Sequence, residues 1–261
     1  MSKDFDLRLF GLIGYPLGHS FSRSYFSEKF QREGLGNCRY ELFPIPTIED
    51  LPALIDSHPG LEGLNVTIPY KTAILPYLTY AGPEIREIGA VNTVLIREGE
   101  RLGFNTDVWG FRESLTGFLP AGFDSLALIL GTGGASKAVQ HVLGKMGIGF
   151  TLVSRAPGPG MLDYGGVDEA VLAAHRLIVQ TTPLGMAPDT GNCPSFPFHF
   201  LSGNHYLYDL IYNPAETLFM ECGKRRGCKV KNGLEMLYLQ ADKAWEIWNT
   251  PIQDLTKHLP V

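Results

Sequence analysis

A glycine-rich segment near the middle of the chain has the residue types that bind a phosphate group through the backbone. Residues 126–130 are a short apolar run, and Gly131-Thr132-Gly133 follows it directly. A helical pattern then continues to about residue 146. Gly131 permits a tight turn, Gly133 allows a phosphate to approach the backbone, and the first N–H groups of the helix face that anion. This strand–turn–helix context predicts a dinucleotide site.

The residues after the next predicted strand bear on which dinucleotide that site would take. Residues 150–153 form an apolar run that ends in Ser154-Arg155, and Arg155 lies 24 residues beyond Gly131. A site for NAD(H) usually places Asp or Glu at this strand end, where it accepts the ribose 2′-hydroxyl. An arginine suits a 2′-phosphate instead. The alternative is an ordinary solvated arginine, but beside the glycine turn the pattern favours NADP(H).

Two serines in the first part of the chain are spaced to act together. Ser20 and Ser22 are two residues apart, so their hydroxyls point the same way in an extended backbone. A helical pattern over residues 23–33 follows them. One interpretation is that Ser22 caps this helix. The other is that both hydroxyls, beside a helix N-terminus, bind a carboxylate.

Further polar side chains occur in a run with strand composition. In residues 64–68 the alternation places Asn65 and Thr67 on one face of a predicted strand, and Val66 and Ile68 on the other. One face is therefore aliphatic, as a core requires. The other carries an amide and a hydroxyl, which are groups that hydrogen-bond a polar ligand.

Lys71 occupies an unusual place for a cation. Pro69 suits the first position of a helix, so Lys71 falls in the first turn, where the helix dipole disfavours positive charge. Ordinary structural explanations exist for three polar residues of this part of the chain. Lys71 can be a solvated lysine, Asn92 a turn residue, and Asp107 the N-cap of a helix over 108–115. All three nevertheless lie where strands and helices meet, at the edge where α/β sheets bind ligands.

Composition limits the kinds of protein this can be. The chain has 261 residues, enough for two α/β domains, and its net charge of −5 argues against nucleic acid or an anionic membrane as the main partner. It has no long apolar run and no signal-peptide core. Its four cysteines form no Cys-x-x-Cys pair, and its histidines form no metal motif. We therefore predict a cytoplasmic protein without a metal site. Its expected partner is a small-molecule substrate, and it is expected to be either a monomer or a homodimer, a choice that the composition does not decide.

Several short motifs, taken in order along the chain, resemble those of the shikimate dehydrogenase family. Each motif is short, but together they are specific and cover nearly the whole chain. They are Gly14-Tyr15-Pro16, His19-Ser20-Phe21-Ser22, Asn65-Val66-Thr67-Ile68-Pro69-Tyr70-Lys71, Gly89-Ala90-Val91-Asn92-Thr93, Asn105-Thr106-Asp107, Gly131-Thr132-Gly133-Gly134-Ala135, Thr182-Pro183-Leu184-Gly185-Met186, Asp209-Leu210-Ile211-Tyr212-Asn213-Pro214 and Gly233-Leu234-Glu235-Met236-Leu237 with Gln240-Ala241.

This resemblance implies both a fold and a reaction. The fold would be α/β, with an N-terminal α/β substrate-binding domain over residues 1–104 and a Rossmann-like NADP-binding domain over 105–233. A C-terminal helical segment, 234–261, would return to the first domain. The reaction would be the reversible NADPH-dependent reduction of 3-dehydroshikimate to shikimate, on the pathway to chorismate and the aromatic amino acids.

The resemblance also implies roles for individual residues. Lys71 and Asp107 match the family's catalytic pair, and a lysine can protonate and stabilise the alkoxide that hydride transfer produces. Ser20 and Ser22 would bind the substrate carboxylate. The other expected substrate-binding residues are Asn65, Thr67, Asn92, Tyr212 and Gln240, together with Lys71 and Asp107. The expected cofactor-binding residues are Gly131, Thr132, Gly133, Gly134, Ala135, Ser154, Arg155, Thr182, Leu210 and Gly233.

One motif departs from the family, and two alternative functions remain open. The family commonly has Asn-Arg-Thr where this chain has Ser154-Arg155-Ala156, so a hydroxyl that could contact phosphate is absent and the preference for NADP would be less strict. The first alternative is an NAD-using quinate/shikimate dehydrogenase, against which Arg155 argues. The second is a non-catalytic sensor of a shikimate-like ligand. Loss of Lys71 or Asp107 would favour it, and both residues are present.

Overall fold

The computed structural model describes residues 7–18 and 21–256 of the chain. The chain divides into two compact units. The first unit consists of the residues up to Thr106 and those from Ala241 onward, and the second unit is Asp107–Gln240. Each has its own sheet and helices, so the predicted α/β class is confirmed. In the described ranges, no helix is both long and apolar enough to span a membrane.

In the described part of the first unit, six strands form one mixed sheet. They are β1 (Arg8–Ile13), β2 (Cys38–Phe43), β3 (Leu61–Val66), β4 (Tyr80–Ala81), β5 (Thr93–Arg97) and β6 (Glu100–Phe104), in the order β2-β1-β3-β5-β6-β4. β1 pairs in parallel with β2 and β3, whereas β5 is antiparallel to β3 and β6. The helices in residues 21–88 are α1 (Phe21–Arg32), α2 (Leu51–Ser57), α3 (Tyr70–Ala73) and α4 (Pro83–Ile88).

Both faces of this sheet are buried, which explains why its central strands are almost entirely apolar. Side chains alternate along β1, so that Ile13 faces one hydrophobic cluster while Phe10 faces another. The second cluster includes Trp248, whose indole N–H donates to the Val94 carbonyl at 3.0 Å. Gly63 leaves the space for this ring, because a Cβ there would lie 2.3 Å from the indole nitrogen.

The second unit, all of whose residues are described, has a parallel five-stranded sheet. Helix α5 (Thr106–Phe118) precedes it. The sheet elements and their helices are β7 (Ala127–Leu130), α6 (Gly134–Lys145), β8 (Phe150–Val153), α7 (Glu169–Ala174), β9 (Leu177–Gln180), β10 (Tyr206–Asp209), α8 (Leu218–Lys224) and β11 (Lys229–Lys231). Helices α9 (Leu234–Asn249) and α10 (Ile252–Thr256) follow. The boundaries between the two units therefore fall inside helices. One lies in α5, between Thr106 and Asp107, and the other in α9, between Gln240 and Ala241.

The order of this sheet, β11-β10-β9-β7-β8, is a Rossmann order in which one strand is reduced to a single residue. Leu162 pairs in parallel with Val153, and the Ser154 N–H donates to the Leu162 carbonyl at 2.9 Å. Counting Leu162 as the third strand gives the order 3-2-1-4-5-6. Parallel strands usually need a connection of about a dozen residues or more, commonly a helix. Here the connection is only the proline- and glycine-rich loop 154–161.

Candidate active site

The first unit gathers buried polar side chains at one end of its central strands. Asn65 lies near the end of β3, directly opposite Thr93 at the start of β5. The Asn65 amide donates to the Thr93 hydroxyl at 3.2 Å, and its oxygen accepts a hydrogen bond from the Tyr40 hydroxyl at 2.8 Å. All three side chains are buried. A network of neutral donors and acceptors therefore holds a predicted substrate-binding amide in one orientation.

Asn92 belongs to the same network. Its side-chain oxygen accepts from the backbone N–H of Thr106 at 2.7 Å, and its amide donates to the Thr106 hydroxyl at 3.0 Å. Its own carbonyl accepts from the Val66 N–H at 2.8 Å. Asn92 thus links the end of β3 to the start of α5, which is a structural role in addition to the predicted contact with substrate.

Lys71 lies beside this network because of a backbone contact. The Val91 N–H donates to the Lys71 carbonyl at 2.7 Å, which places the first turn of α3 against the turn that carries Asn92. Thr67 lies just before α3, and its methyl group fills the space beside Gly14, where a Cβ would lie 2.5 Å away. Within the first unit, one region therefore contains Asn65, Thr67, Lys71 and Asn92.

Two local interpretations in this region were wrong. The strand predicted over 64–68 ends at Val66, because the Thr67 N–H makes the last bond to β1 and the Thr67 carbonyl then accepts from the Tyr70 N–H in a turn. Ile68 is consequently 71% exposed instead of sharing the buried face with Val66, which is 2% exposed. Ser22 is not an N-cap, since it lies within α1, which begins at Phe21. Ser20 lies outside the described residues.

Asp107 and Gln240 are predicted substrate residues of the second unit. Asp107 is buried in the first turn of α5, so the N-cap interpretation was wrong, but a carboxylate there is favourably placed for the helix dipole. One turn later, Gly110 lets α5 approach α9 closely, since a Cβ would lie 2.6 Å from the Met236 carbonyl oxygen and 3.2 Å from the Gln240 Cβ. The two side chains are therefore carried by helices in close contact.

The glycine turn has the geometry that a phosphate site requires. Gly131 has φ +107°, and a Cβ there would lie 2.9 Å from side-chain atoms of both Thr181 and Thr182. This places the turn against the loop after β9, which contains the predicted cofactor residue Thr182. At Gly133, by contrast, a Cβ would meet no atom within 4 Å, and α6 begins at the next residue. The open space at a helix N-terminus fits the pyrophosphate of a dinucleotide.

Leu210 and Gly233, two of the expected cofactor-binding residues, are in direct contact. A Cβ on Gly233 would lie 2.0 Å from the Leu210 carbonyl oxygen, and the Gly233 N–H donates to the Ile211 carbonyl at 3.0 Å. No side chain larger than hydrogen fits at this position without a backbone shift.

Tyr212, a predicted substrate-binding residue, is half-buried, and burial raises the pKa of its phenol.

Two buried polar side chains that organise the loops of the second unit were not among the predicted site residues. Gln180, the last residue of β9, accepts from the Thr182 N–H at 3.0 Å. Asp209, the last residue of β10, accepts from the Ile211 N–H at 3.0 Å and from the Thr217 hydroxyl at 2.6 Å. Burial raises the pKa of Asp209 to about 6, against the opposing effect of these hydrogen bonds. In the sequence, each of these two residues is the polar residue at the end of an apolar strand, and this pattern could have identified them.

The predicted 2′-phosphate site consists of an exposed arginine and a half-buried serine. The Gly131 N–H donates to the Val153 carbonyl at 2.9 Å, so the glycine turn lies beside the strand end that carries Ser154-Arg155. Arg155 is exposed, and the Ser154 hydroxyl accepts from the Ala156 N–H at 3.2 Å. Burial raises the pKa of the nearby Tyr164, and the charge of Arg155 acts against that effect.

Fold and site together define an α/β protein of two units. The first unit presents neutral hydrogen-bonding side chains, and the second has the glycine turn of a dinucleotide-binding unit. Residues 12–94 match the family model described as shikimate dehydrogenase substrate binding domain. The chain is 36% identical to the shikimate dehydrogenase (NADP(+)) of Symbiobacterium thermophilum, over 92% of this chain and 88% of that protein. The chain belongs to the shikimate dehydrogenase family.

Solved structures agree with this assignment. The shikimate 5-dehydrogenase of Thermus thermophilus, in complex with NADP(H) and shikimate, is 33% identical with a TM-score of 0.82, covering 93% of this chain and 94% of that one. The quinate dehydrogenase of Corynebacterium glutamicum, in complex with NAD, is 28% identical with a TM-score of 0.83, covering 94% of each chain. The fold is therefore shared by enzymes that differ in substrate and in cofactor.

Proposed function

We propose that this protein catalyses the reversible NADPH-dependent reduction of 3-dehydroshikimate to shikimate. The observation that carries the proposal is its 36% identity over 92% of its length to an NADP-dependent shikimate dehydrogenase, with the residues that the family uses for chemistry present here. On this proposal the first unit supplies most of the substrate-binding residues. The second unit supplies the cofactor-binding residues, together with Asp107, Tyr212 and Gln240 for the substrate. The cytoplasmic location remains a prediction, as does the choice between monomer and homodimer.

The substrate is held by its carboxylate and its ring hydroxyls. Ser20 and Ser22 bind the carboxylate, because paired hydroxyls supply two donors to its oxygens. The ring hydroxyls are bound by the side chains of Asn65, Thr67, Asn92, Asp107 and Gln240, with Tyr212 lining the site. The neutral network around Asn65 and Asn92 supports this role, since amides held by other side chains need little reorganisation when a ligand binds.

Lys71 and Asp107 perform the proton transfer. NADPH supplies the hydride when it is bound. The Lys71 ammonium donates a proton to the ketone oxygen as negative charge develops there, and its positive charge stabilises that oxygen before the proton moves. The Asp107 carboxylate, the second member of the proposed pair, accepts a hydrogen bond from the substrate. In the reverse direction, Lys71 in its neutral form takes the proton from the shikimate hydroxyl.

The cofactor is held mainly by backbone. The turn from Gly131 to Ala135 binds the pyrophosphate through N–H groups at the start of α6, and the open space at Gly133 supports this placement. Leu210 and Gly233 border the nicotinamide, and Thr182 binds the cofactor from its position beside the glycine turn. Arg155, with Ser154 beside it, binds the 2′-phosphate.

A second candidate function is an NAD-using quinate/shikimate dehydrogenase. It is favoured by the similarity to a quinate dehydrogenase in complex with NAD, and by the exposure of Arg155 as the only cation in the loop 154–161. Against it stands the absence of an acidic residue at the end of β8.

Initial rates separate the two candidates. Purified protein is assayed with shikimate or quinate, each with NADP⁺ and NAD⁺ at matched concentrations. We expect fast reduction only with shikimate and NADP⁺. Comparable rates with quinate and NAD⁺ would establish the second candidate. If neither cofactor is reduced by a protein that still binds shikimate, both proposals are wrong and a ligand sensor is supported.

A further inference from the structure

Tyr40 is a buried polar residue that the proposed mechanism does not use. It lies on β2, where it pairs with Phe10 of β1, and its ring is stacked on Phe26 with the centroids 4.6 Å apart. Trp248 belongs to the same hydrophobic cluster, and its ring centroid lies 6.4 Å from that of Tyr40. Since aromatic rings enclose it and it is almost fully buried, the ring has little freedom to turn. The position of its hydroxyl is therefore set by the core.

That hydroxyl reaches across the neighbouring strand to a predicted substrate-binding residue. β1 separates β2 from β3, and the Tyr40 hydroxyl donates to the side-chain oxygen of Asn65 on β3 at 2.8 Å. Burial raises the pKa of the phenol, so the group keeps its proton and remains a donor, while a hydrogen bond with the Ser22 side chain acts in the opposite direction. Tyr40 therefore contacts two residues that we assign to substrate binding.

The bond to Asn65 determines what that amide can offer a ligand. Its oxygen faces the Tyr40 donor, and its nitrogen faces the Thr93 hydroxyl at 3.2 Å and the Asn92 carbonyl at 3.4 Å. A rotated amide would place its oxygen against the Asn92 carbonyl, and two acceptors cannot bond. Tyr40 thus holds the amide orientation from the oxygen side, and Asn92 and Thr93 hold it from the nitrogen side.

We infer that Tyr40 is a positioning residue for substrate binding, which holds the Asn65 amide and the Ser22 hydroxyl in their binding orientation through its phenolic hydroxyl. This inference rests on the proposed function, because it assigns Tyr40 to the site that takes the shikimate hydroxyls and carboxylate. Tyr40 itself does not touch the substrate. Its effect should appear in substrate affinity more than in turnover.

The test is Tyr40→Phe, which keeps the stacked ring and removes only the hydroxyl. We expect KM for shikimate to rise about tenfold, kcat to change less than threefold, and the Kd for NADP⁺ to remain unchanged. Tyr208→Phe is the matched control, because Tyr208 is also buried and donates to a neutral side-chain oxygen, that of Ser114, at 2.8 Å. Both variants should lower the unfolding temperature by a similar few degrees, but only Tyr40→Phe should raise KM.

A double-mutant cycle separates positioning from a general loss of stability. If Tyr40 acts through Asn65 and Ser22, the KM effect of Tyr40→Phe should become smaller in an Asn65→Ala background and disappear in an Asn65→Ala/Ser22→Ala background. An unchanged KM in Tyr40→Phe, or equal KM increases in the Tyr208 control, would overturn the inference while leaving the proposed function intact. A wild-type protein that does not oxidise shikimate would overturn both.

Discussion

The two units use buried polar side chains at their strand ends in different ways. In the first unit these side chains bond mostly to one another, as when the Asn65 amide donates to Thr93 and accepts from Tyr40. In the second unit they bond to the backbone of the following loop, as Gln180 does to the Thr182 N–H and Asp209 does to the Ile211 N–H. The first arrangement orients side chains, and the second shapes loops.

This difference matches what each unit is proposed to bind. A hydroxylated ring offers donors and acceptors in several directions, which oriented amides and hydroxyls can match one by one. A pyrophosphate offers only acceptors, which a glycine turn and the N–H groups of a helix start can satisfy without side chains. Substitutions in the first unit should therefore act on the substrate, and those at the glycine turn and at Arg155 in the second unit should act on the cofactor.

Lys71→Ala should have the largest effect. Removing a general acid typically lowers kcat by about 10² to 10⁴, while Kd for NADPH, measured by fluorescence titration, should be unchanged because the proposed cofactor residues all lie in the second unit. Lys224→Ala, at an exposed lysine paired with Glu216, is the control and should behave as wild type. Normal turnover in Lys71→Ala would remove its catalytic role.

Asp209→Asn should reveal a pH dependence that the neutral network of the first unit lacks. Since burial raises the pKa of Asp209 from 3.8 to about 6, the folded protein holds a proton there that the unfolded chain releases. The free energy of unfolding should therefore fall as pH rises from about 4 to about 6, by at most about 3 kcal/mol.

Urea unfolding of both proteins across this range provides the measurement, because asparagine does not titrate and retains an acceptor for the Ile211 N–H. The stability of wild type relative to Asp209→Asn should decrease between about pH 4 and 6 and be constant above about pH 7. A difference that stays constant from pH 4 upward would show that Asp209 is not perturbed by burial.

Gly133→Ala should weaken cofactor binding without disturbing the fold. A methyl group there meets no protein atom within 4 Å, but it would occupy the space proposed for the pyrophosphate. We expect Kd for NADP⁺ to rise about tenfold, or about 1.4 kcal/mol, with KM for shikimate unchanged. A Cβ at Gly144, in the helix that follows, also meets no atom within 4 Å, so Gly144→Ala is the control. Unaltered NADP⁺ affinity in Gly133→Ala would refute the phosphate assignment.

Arg155→Ala should have the smallest effect, restricted to one phosphate of the cofactor. The guanidinium is exposed, so we expect the preference for NADP⁺ over NAD⁺ to fall by about threefold to tenfold, mainly through weaker NADP⁺ binding. Arg225→Ala, at an exposed arginine paired with Glu221, should leave the preference unchanged. Equal losses of NADP⁺ and NAD⁺ affinity would show that Arg155 does not read the 2′-phosphate.

Local sequence patterns predicted the second unit more closely than the first. The strand at Phe150–Val153 has the predicted bounds, because it is a short apolar run between turn residues. In the first unit the pattern over 64–68 extended the strand two residues too far. Alternation alone does not show where a strand loses its neighbour, and β3 ends where its bonds to β1 end.

The sequence by itself determined the family, the α/β class, the glycine turn and the residue types proposed for chemistry, because these depend on composition and on short contiguous motifs. Only the tertiary structure decided which buried groups support them. Tyr40 and Asn65 are 25 residues apart in the chain and bond across an intervening strand. Gly233 and Leu210 meet although neither has a local pattern that requires it. Such contacts depend on strand order and on the close approach of distant backbone segments, which local patterns do not encode.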